Sequence, residues 1–249
     1  MAMPVEIGRV EAIFRYPVKS MAGERLEAAQ LGWHGLAGDR RMAFRKVEDR
    51  SGFPWLTASK LADLLLFVPT PRDNGSADEL PTHVRTPEGA QLPIFGDELA
   101  ADVGRRHGAP VQMMQWNHGI FDDGNVSVIA TDTVSELARL SGLGADVRRF
   151  RPNVLVRLSR PGPFQEDAWV GGSLAFGPGD DSPAVAVTAR DVRCAMLNLD
   201  PDTARSAPEM LKAVVRANQN NAGVYGTAFR IGRLEVGQPV FQRSAKEGA

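Results

Sequence analysis

Apolar and polar residues along this chain alternate mostly in short runs with a period of two. VEAIFRYPVKS (10–20) alternates until Pro17, and RMAFRKV (41–47) reads as a neighbouring strand. The stretch 70–83, TPRDNGSADELPTH, is polar and bounded by prolines, and predicts a loop. Strands follow at 84–95 and 109–116. At 125–140, NVSVIATDTVSELARL, the period changes: a strand through Val126, Val128 and Ile129 gives way to a helix. Thr133 and Glu136 have capping-box spacing there, with Val134, Leu137, Ala138 and Leu140 on the buried side. NVLVRL (153–158) and AVAVTAR (184–190) read as buried strands. A second helix is signalled by a capping box at Ser206 and Glu209, with Pro208 tolerated in its first turn. Its Met210, Leu211, Val214 and Val215 share one face. Two short strands around Gly237-Gln238-Pro239 follow, and no internal repeat or low-complexity tract is present. Many short strands with two or three helices predict an α+β, mainly β fold: a β-barrel-like core with helical decoration.

Composition narrows the function. The length, 249 residues, suits one large domain or two intimately packed ones, and 43% hydrophobic residues supply a core. With 29 basic residues against 30 acidic, no global field recruits nucleic acid or an anionic membrane. The single Cys excludes an intrachain disulfide and any multi-thiolate zinc or iron–sulfur site, and fits a reducing compartment. Glu6, Arg9 and Glu11 fall where a signal peptide needs an apolar stretch, and no run approaches the roughly 18 apolar residues of a membrane span. The expectation is a soluble cytoplasmic protein with neither nucleic acid nor membrane as partner.

Conventional catalytic signatures are missing. There is no G-x-x-x-x-G-K-[ST] phosphate loop, no G-x-G-x-x-G turn and no G-x-S-x-G elbow; His34, His83, His107 and His118 are scattered. What remains is three basic stretches and one thiol. Tyr16-Pro17-Val18-Lys19-Ser20 ends a strand at a proline and leaves Lys19 and Ser20 on a turn. Gly38-Asp39-Arg40-Arg41 opens a strand. Arg148-Arg149-Phe150-Arg151-Pro152-Asn153 immediately precedes the apolar VLVRL. Taken singly, such a stretch is more often a solvated strand end or a salt bridge. Converging, their donors would hold a small anion, above all a phosphate, through charge-assisted hydrogen bonds. Cys194 also has two readings. Free Cys is among the most buried residue types. Arg193 beside it, however, supplies positive potential that favours thiolate, the form that ligates a metal or carries sulfur, unless Asp191 points the same way.

Five stretches in order, YPVKSMAG (16–23), GLAGDRRMAF (35–44), FRPNVLV (150–156), EDAWVGGSLAFG (166–177) and RCAMLNLDPDT (193–203), followed by GRLEVGQPVF (232–241), carry a resemblance. They resemble the MOSC superfamily, the molybdenum cofactor sulfurase C-terminal domain, together with its N-terminal β-barrel partner. The layout is most similar to the amidoxime-reducing component and its bacterial relatives. The resemblance implies a MOSC-type β-barrel with a β-rich N-terminal subdomain, at about 1–115 and 116–249. It implies a molybdopterin-type molybdenum cofactor with Cys194 as the protein ligand to molybdenum. Lys19, Ser20, Arg40, Arg151 and Asn153 fall on family stretches that hold the pterin and its phosphate, and Arg193 adjoins the cysteine. Asp200 falls on the family's D-P pair and would face the substrate side of the metal, although Asp-Pro is also a turn initiator. Asp191 and Val192 stand where small hydroxyl residues often precede R-C, and Thr57-Ala58-Ser59 resembles a T-A-R element without its arginine.

The activity so implied is reduction of N-hydroxylated compounds. Its electrons would come from a separate partner: a ferredoxin, a flavodoxin, or a cytochrome b5-like protein with its reductase. The alternative is a carrier, with Cys194 holding a persulfide received from a cysteine desulfurase, or with the barrel storing the cofactor without turnover. Pyridoxal phosphate binding is a further family-level property.

Overall fold

The computed structural model describes residues 4–71 and 80–243. The middle of the predicted 70–83 loop lies outside the described residues. Seven strands form the main body: β1 (Val5–Arg15), β2 (Val126–Ala130), β3 (Val154–Leu158), β4 (Ser173–Phe176), β5 (Ala184–Val192), β6 (Asn221–Arg230) and β7 (Pro239–Arg243). They run β3-β2-β6-β5-β4-β7-β1 round a wall, and β1 returns to pair with β3 from Gly8↔Leu158 to Ile13↔Val154. The sheet therefore closes into a barrel, which leaves the ring no exposed edge. Gly8 permits the closure: a Cβ there would lie 2.1 Å from the Arg157 carbonyl oxygen.

Strand periodicity builds two cores. Val126, Val128, Val154 and Val156 face the barrel interior, while Ile129 and Leu155, out of phase with them, pack outward. Three helices are described: α1 (Asp97–His107), α2 (Thr131–Ser141) and α3 (Glu209–Asn218). The outward residues meet Val134 and Leu137 of α2 and Met210 and Val214 of α3. α2 lies in the crossover between β2 and β3, which are parallel, as such a connection requires. Each fully buried aliphatic side chain contributes about 1.5–3 kcal/mol. Every residue of β2 is buried, so its two faces feed both cores.

A second lobe forms its own core from Met42, Phe44, Leu56, Phe67, Leu99 and Met113. The predicted strands at 41–47 and 109–116 appear as the pair Met42–Lys46 and Val111–Gln115. The 84–95 stretch resolves into His83–Arg85 and Gln91–Pro93. The mainly β expectation holds, and no helix among the described residues is long and apolar enough to cross a membrane.

Both capping boxes need correction. α2 starts at Thr131 with no side-chain cap; Thr133 Oγ1 instead donates to Glu166 at 2.9 Å and accepts from Phe164 N at 2.8 Å. α3 starts at Glu209, and Asn198 Oδ1, from outside the helix, accepts from Leu211 N at 2.9 Å. Leu140 and Val215, expected to be buried, are exposed, because each helix presses only one narrow row against the barrel.

Glu166 is fully buried, and burial pushes its carboxyl up to about 7. Between about pH 4.5 and 7 the folded chain keeps this proton while the unfolded chain loses it. Stability attributable to Glu166 is therefore full at low pH and falls across that window. Glu166→Gln should flatten the fall and raise stability at pH 8 by about 3 kcal/mol, read as the urea midpoint at pH 5 and pH 8. An unchanged pH slope would refute it.

Candidate functional site

Seven described non-glycine residues have positive φ, and three of them lie in the three basic stretches: Ser20 (φ 69), Arg40 (φ 48) and Arg151 (φ 51). Left-handed backbone is costly for such residues and gathers where the surroundings over-determine a geometry. The surroundings here are specific. Asp39 is buried and its carboxylate accepts from Tyr16 N at 2.7 Å and from the Arg40 guanidinium. Arg40 Nη2 donates to the Arg151 carbonyl at 3.0 Å. Both guanidiniums lie against the Tyr16 ring, Arg40 at 4.9 Å and Arg151 at 4.1 Å. The second and third stretches are thus locked together through the first.

These stretches line one open cavity of about 370 Å³, where the barrel meets the second lobe. Lys19, Ser20, Arg40, Arg151, Arg193 and Cys194 all line it. Arg151 Nη1 donates to Met21 O at 2.8 Å, but its buried Nη2 has no partner. Burial pushes Arg151 down to about 10, as expected of a cation held out of water. Lys19 is buried as well, and burial lowers its pKa. Its Nζ donates to Ile120 O at 3.1 Å and Asp122 Oδ1 at 2.9 Å, which leaves one of its three donors.

Cys194 follows β5 and opens the 3₁₀ turn Ala195–Asn198. Its side chain is exposed, so the packed-hydrophobe reading is set aside. Asp191 does point the same way as Arg193, 2.9 Å from Nη2. Arg193 also donates from Nε to Ala222 O at 2.8 Å and from Nη1 to Phe150 O at 2.7 Å. Gly223 (φ 85) makes this possible, since a Cβ there would lie 2.8 Å from Val128 O and 3.3 Å from Arg193 Nη2. Arg193 therefore clamps the end of β5 to β6 and to Phe150, one residue before the thiol. Burial raises Asp191 to about 6 despite that pairing, and Ser127 Oγ donates to it at 3.2 Å.

Two family models match the chain: the MOSC domain over residues 104–241 and the MOSC N-terminal beta barrel domain over residues 7–134. The chain belongs to the MOSC family. No curated protein matches it. Among solved structures, the YuaD protein from Bacillus subtilis is 14% identical with a TM-score of 0.53, covering 98% of this chain and 100% of its own. YiiM from Geobacillus stearothermophilus is 18% identical with a TM-score of 0.40, covering 51% of this chain and 58% of its own. At these identities the YuaD likeness speaks to fold alone.

MOSC domains are associated with molybdenum cofactor binding. The donors in this MOSC chain fit such a group: an accessible thiol, an arginine whose enclosed Nη2 has no partner, and a cavity large enough for a pterin. Two expected residues lie outside the lining. Asn153 is buried, with Oδ1 accepting from Ser127 N at 3.0 Å and Nδ2 donating to Phe14 O at 3.3 Å, so it ties the barrel strands together. Asp200, expected to face the substrate, instead binds Arg149 at 2.7 Å and accepts from Asp202 N and Thr203 N as a turn initiator. Thr57 and Ser59, on the element without its arginine, do line the cavity.

Sequence reasoning passed over Asp122, Tyr225 and Phe53, which also line the cavity, as does Arg149 of the third basic stretch. Period two along 191–193 would have set Asp191 and Arg193 on one face. Asp122 and Tyr225 carry no local signal.

Proposed function

We propose that this MOSC chain is a molybdenum-cofactor-dependent oxidoreductase that reduces N-hydroxylated compounds with electrons from a separate protein. The observation that carries the reading is one cavity bearing an exposed thiol together with Lys19, Arg40 and Arg151. A thiolate suits a soft-leaning metal, and converging charged donors suit a phosphate. Cys194 Sγ would ligate molybdenum, and Arg151, Arg40 and Lys19 would hold the phosphate end. When bound, the cofactor would supply the redox metal centre. The net change is R–NHOH + 2 e⁻ + 2 H⁺ → R–NH₂ + H₂O. With one Cys and no dinucleotide turn, the chain depends on a donor protein such as a ferredoxin, a flavodoxin, or a cytochrome b5-like protein with its reductase.

A persulfide carrier would use the same thiol but would have no need of the buried basic wall, so the cavity favours the first reading. Metal and pterin analysis of protein from a host able to make the cofactor separates them. Molybdenum and pterin near one per chain are expected. Substoichiometric molybdenum with sulfane sulfur on Cys194 would establish the carrier instead. The loaded chain should reduce hydroxylamines with an artificial low-potential donor and stay inert with NADH or NADPH alone; direct turnover from a nicotinamide would overturn the separate-donor part.

A further inference from the structure

We propose that His34 and His118 form a surface site for one imidazole-binding transition-metal ion, Zn²⁺ or Cu²⁺. The two residues lie 84 positions apart in the chain, yet His34 Nε2 and His118 Nδ1 are 3.1 Å from each other. Two metal–nitrogen bonds of about 2.0–2.1 Å set their nitrogens about 3.4 Å apart at a tetrahedral angle and about 2.9 Å apart at a right angle. The observed spacing falls between those limits. The ring centres are 4.2 Å apart, closer than a straight hydrogen bond across that gap would set them, so the contact is bent. A shared ion, which sits off the line joining its ligands, needs a bend of this kind.

Chemistry and placement point the same way. Imidazole nitrogen is the commonest metal ligand and suits both ions. Both residues are exposed, so an ion reaches them without any unfolding. Among the described residues neither ring has another partner, and no carboxylate claims either. A lone hydrogen bond between exposed groups adds little net stability, so an ion that replaces its proton forfeits little. The backbone carrying each ring is held. His34 lies on the turn between the strands Ala28–Gly32 and Gly35–Leu36, where Trp33 O accepts from Asn125 Nδ2 at 3.2 Å. His118 lies between two anchors, Trp116 N donating to Arg41 O at 2.9 Å and Ile120 N donating to Arg40 O at 2.7 Å. Ile120 O and Asp122 of the same loop accept from Lys19 Nζ. An ion here would therefore staple the hairpin turn to the segment that holds Lys19 in the thiol cavity. Among the described residues no third His, Cys, Asp or Glu completes a cluster, so water fills the remaining positions and the ion exchanges readily. The proposal uses neither Cys194 nor molybdenum.

Titration calorimetry with Zn²⁺ on the full chain carrying Cys194→Ala, which removes the competing thiol, tests it. One ion per chain should bind. His34→Ala and His118→Ala should each weaken binding about tenfold or more, since even an outer-shell partner of a metal ligand is worth about that much. His107→Ala, at the end of α1, should leave it unchanged within about twofold. Zn²⁺ should raise the melting temperature of the Cys194→Ala chain and leave that of the chain also lacking both histidines where it was. Cu²⁺ in the same chain should give an electron paramagnetic resonance spectrum with two imidazole nitrogens, a measurement that decides if either alanine variant does not fold. The proposal is overturned by Zn²⁺ binding no tighter than in the chain lacking both histidines, by weakening in only one of the two single variants, or by a Cu²⁺ spectrum with fewer than two nitrogens.

Discussion

Cys194→Ala is expected to abolish reductase turnover and to lose or alter bound molybdenum while the barrel stays folded. The thiol is exposed and caps a short 3₁₀ turn without a side-chain hydrogen bond, so truncating it opens no void in any of the cores. An exposed substitution of this kind usually changes stability by less than about 0.5 kcal/mol. The groups proposed to hold the pterin and its phosphate are untouched, so much of the pterin should remain. Melting temperature, metal content and turnover therefore separate in one variant. Full activity would rule out a ligand role. Collapse of the fold would return Cys194 to a packing residue.

Arg151→Ala should lower retained pterin about tenfold or more, because one charge-assisted hydrogen bond contributes about 1.5–3 kcal/mol. Arg151→Lys should fall between wild type and Arg151→Ala: an ammonium keeps the charge but loses the planar fork held over Tyr16. The chain without cofactor should tolerate both changes. Burial already works against the Arg151 charge, and Arg40 bonds its backbone carbonyl, which every variant retains. Oxidised-pterin fluorescence per chain measures the effect, and equal retention in all three proteins would remove Arg151 from the phosphate end.

Much of the barrel was legible because strand periodicity is local. Val126, Val128 and Ile129, the run 153–158 and the run 184–190 each announce themselves within a few residues, and all lie in or overlap barrel strands. The helix ends were not legible, because the acceptors near them come from elsewhere. Glu166 takes Thr133, and Asn198 takes the Leu211 amide, so neither local box forms. α1 was passed over although its signals were present: Asp97 and Glu98 at the start, Arg105 to His107 at the end, and Gly108 in left-handed geometry just beyond. At the site, the motif order foretold which basic stretches gather with Cys194. What each side chain bonds could not be read. Asn153 and Asp200 carry hydrogen-bonding groups that serve the fold equally well, and only tertiary contacts show them so occupied.

The closure of the barrel sets a timetable for its folding. β1 is synthesised first and β7 last, yet Val5 pairs with Gln242 and Arg9 with Pro239. Such pairings join residues 230 or more positions apart, and contacts of that kind slow folding. Until β7 leaves the ribosome, β4 and β1 each hold an unpaired edge, a state open to aggregation and suited to chaperone protection. Tyr225 reaches the thiol cavity from β6, so that cavity too is complete only after β6 has been made. Any group that the thiol cavity holds could enter only once these late strands are in place.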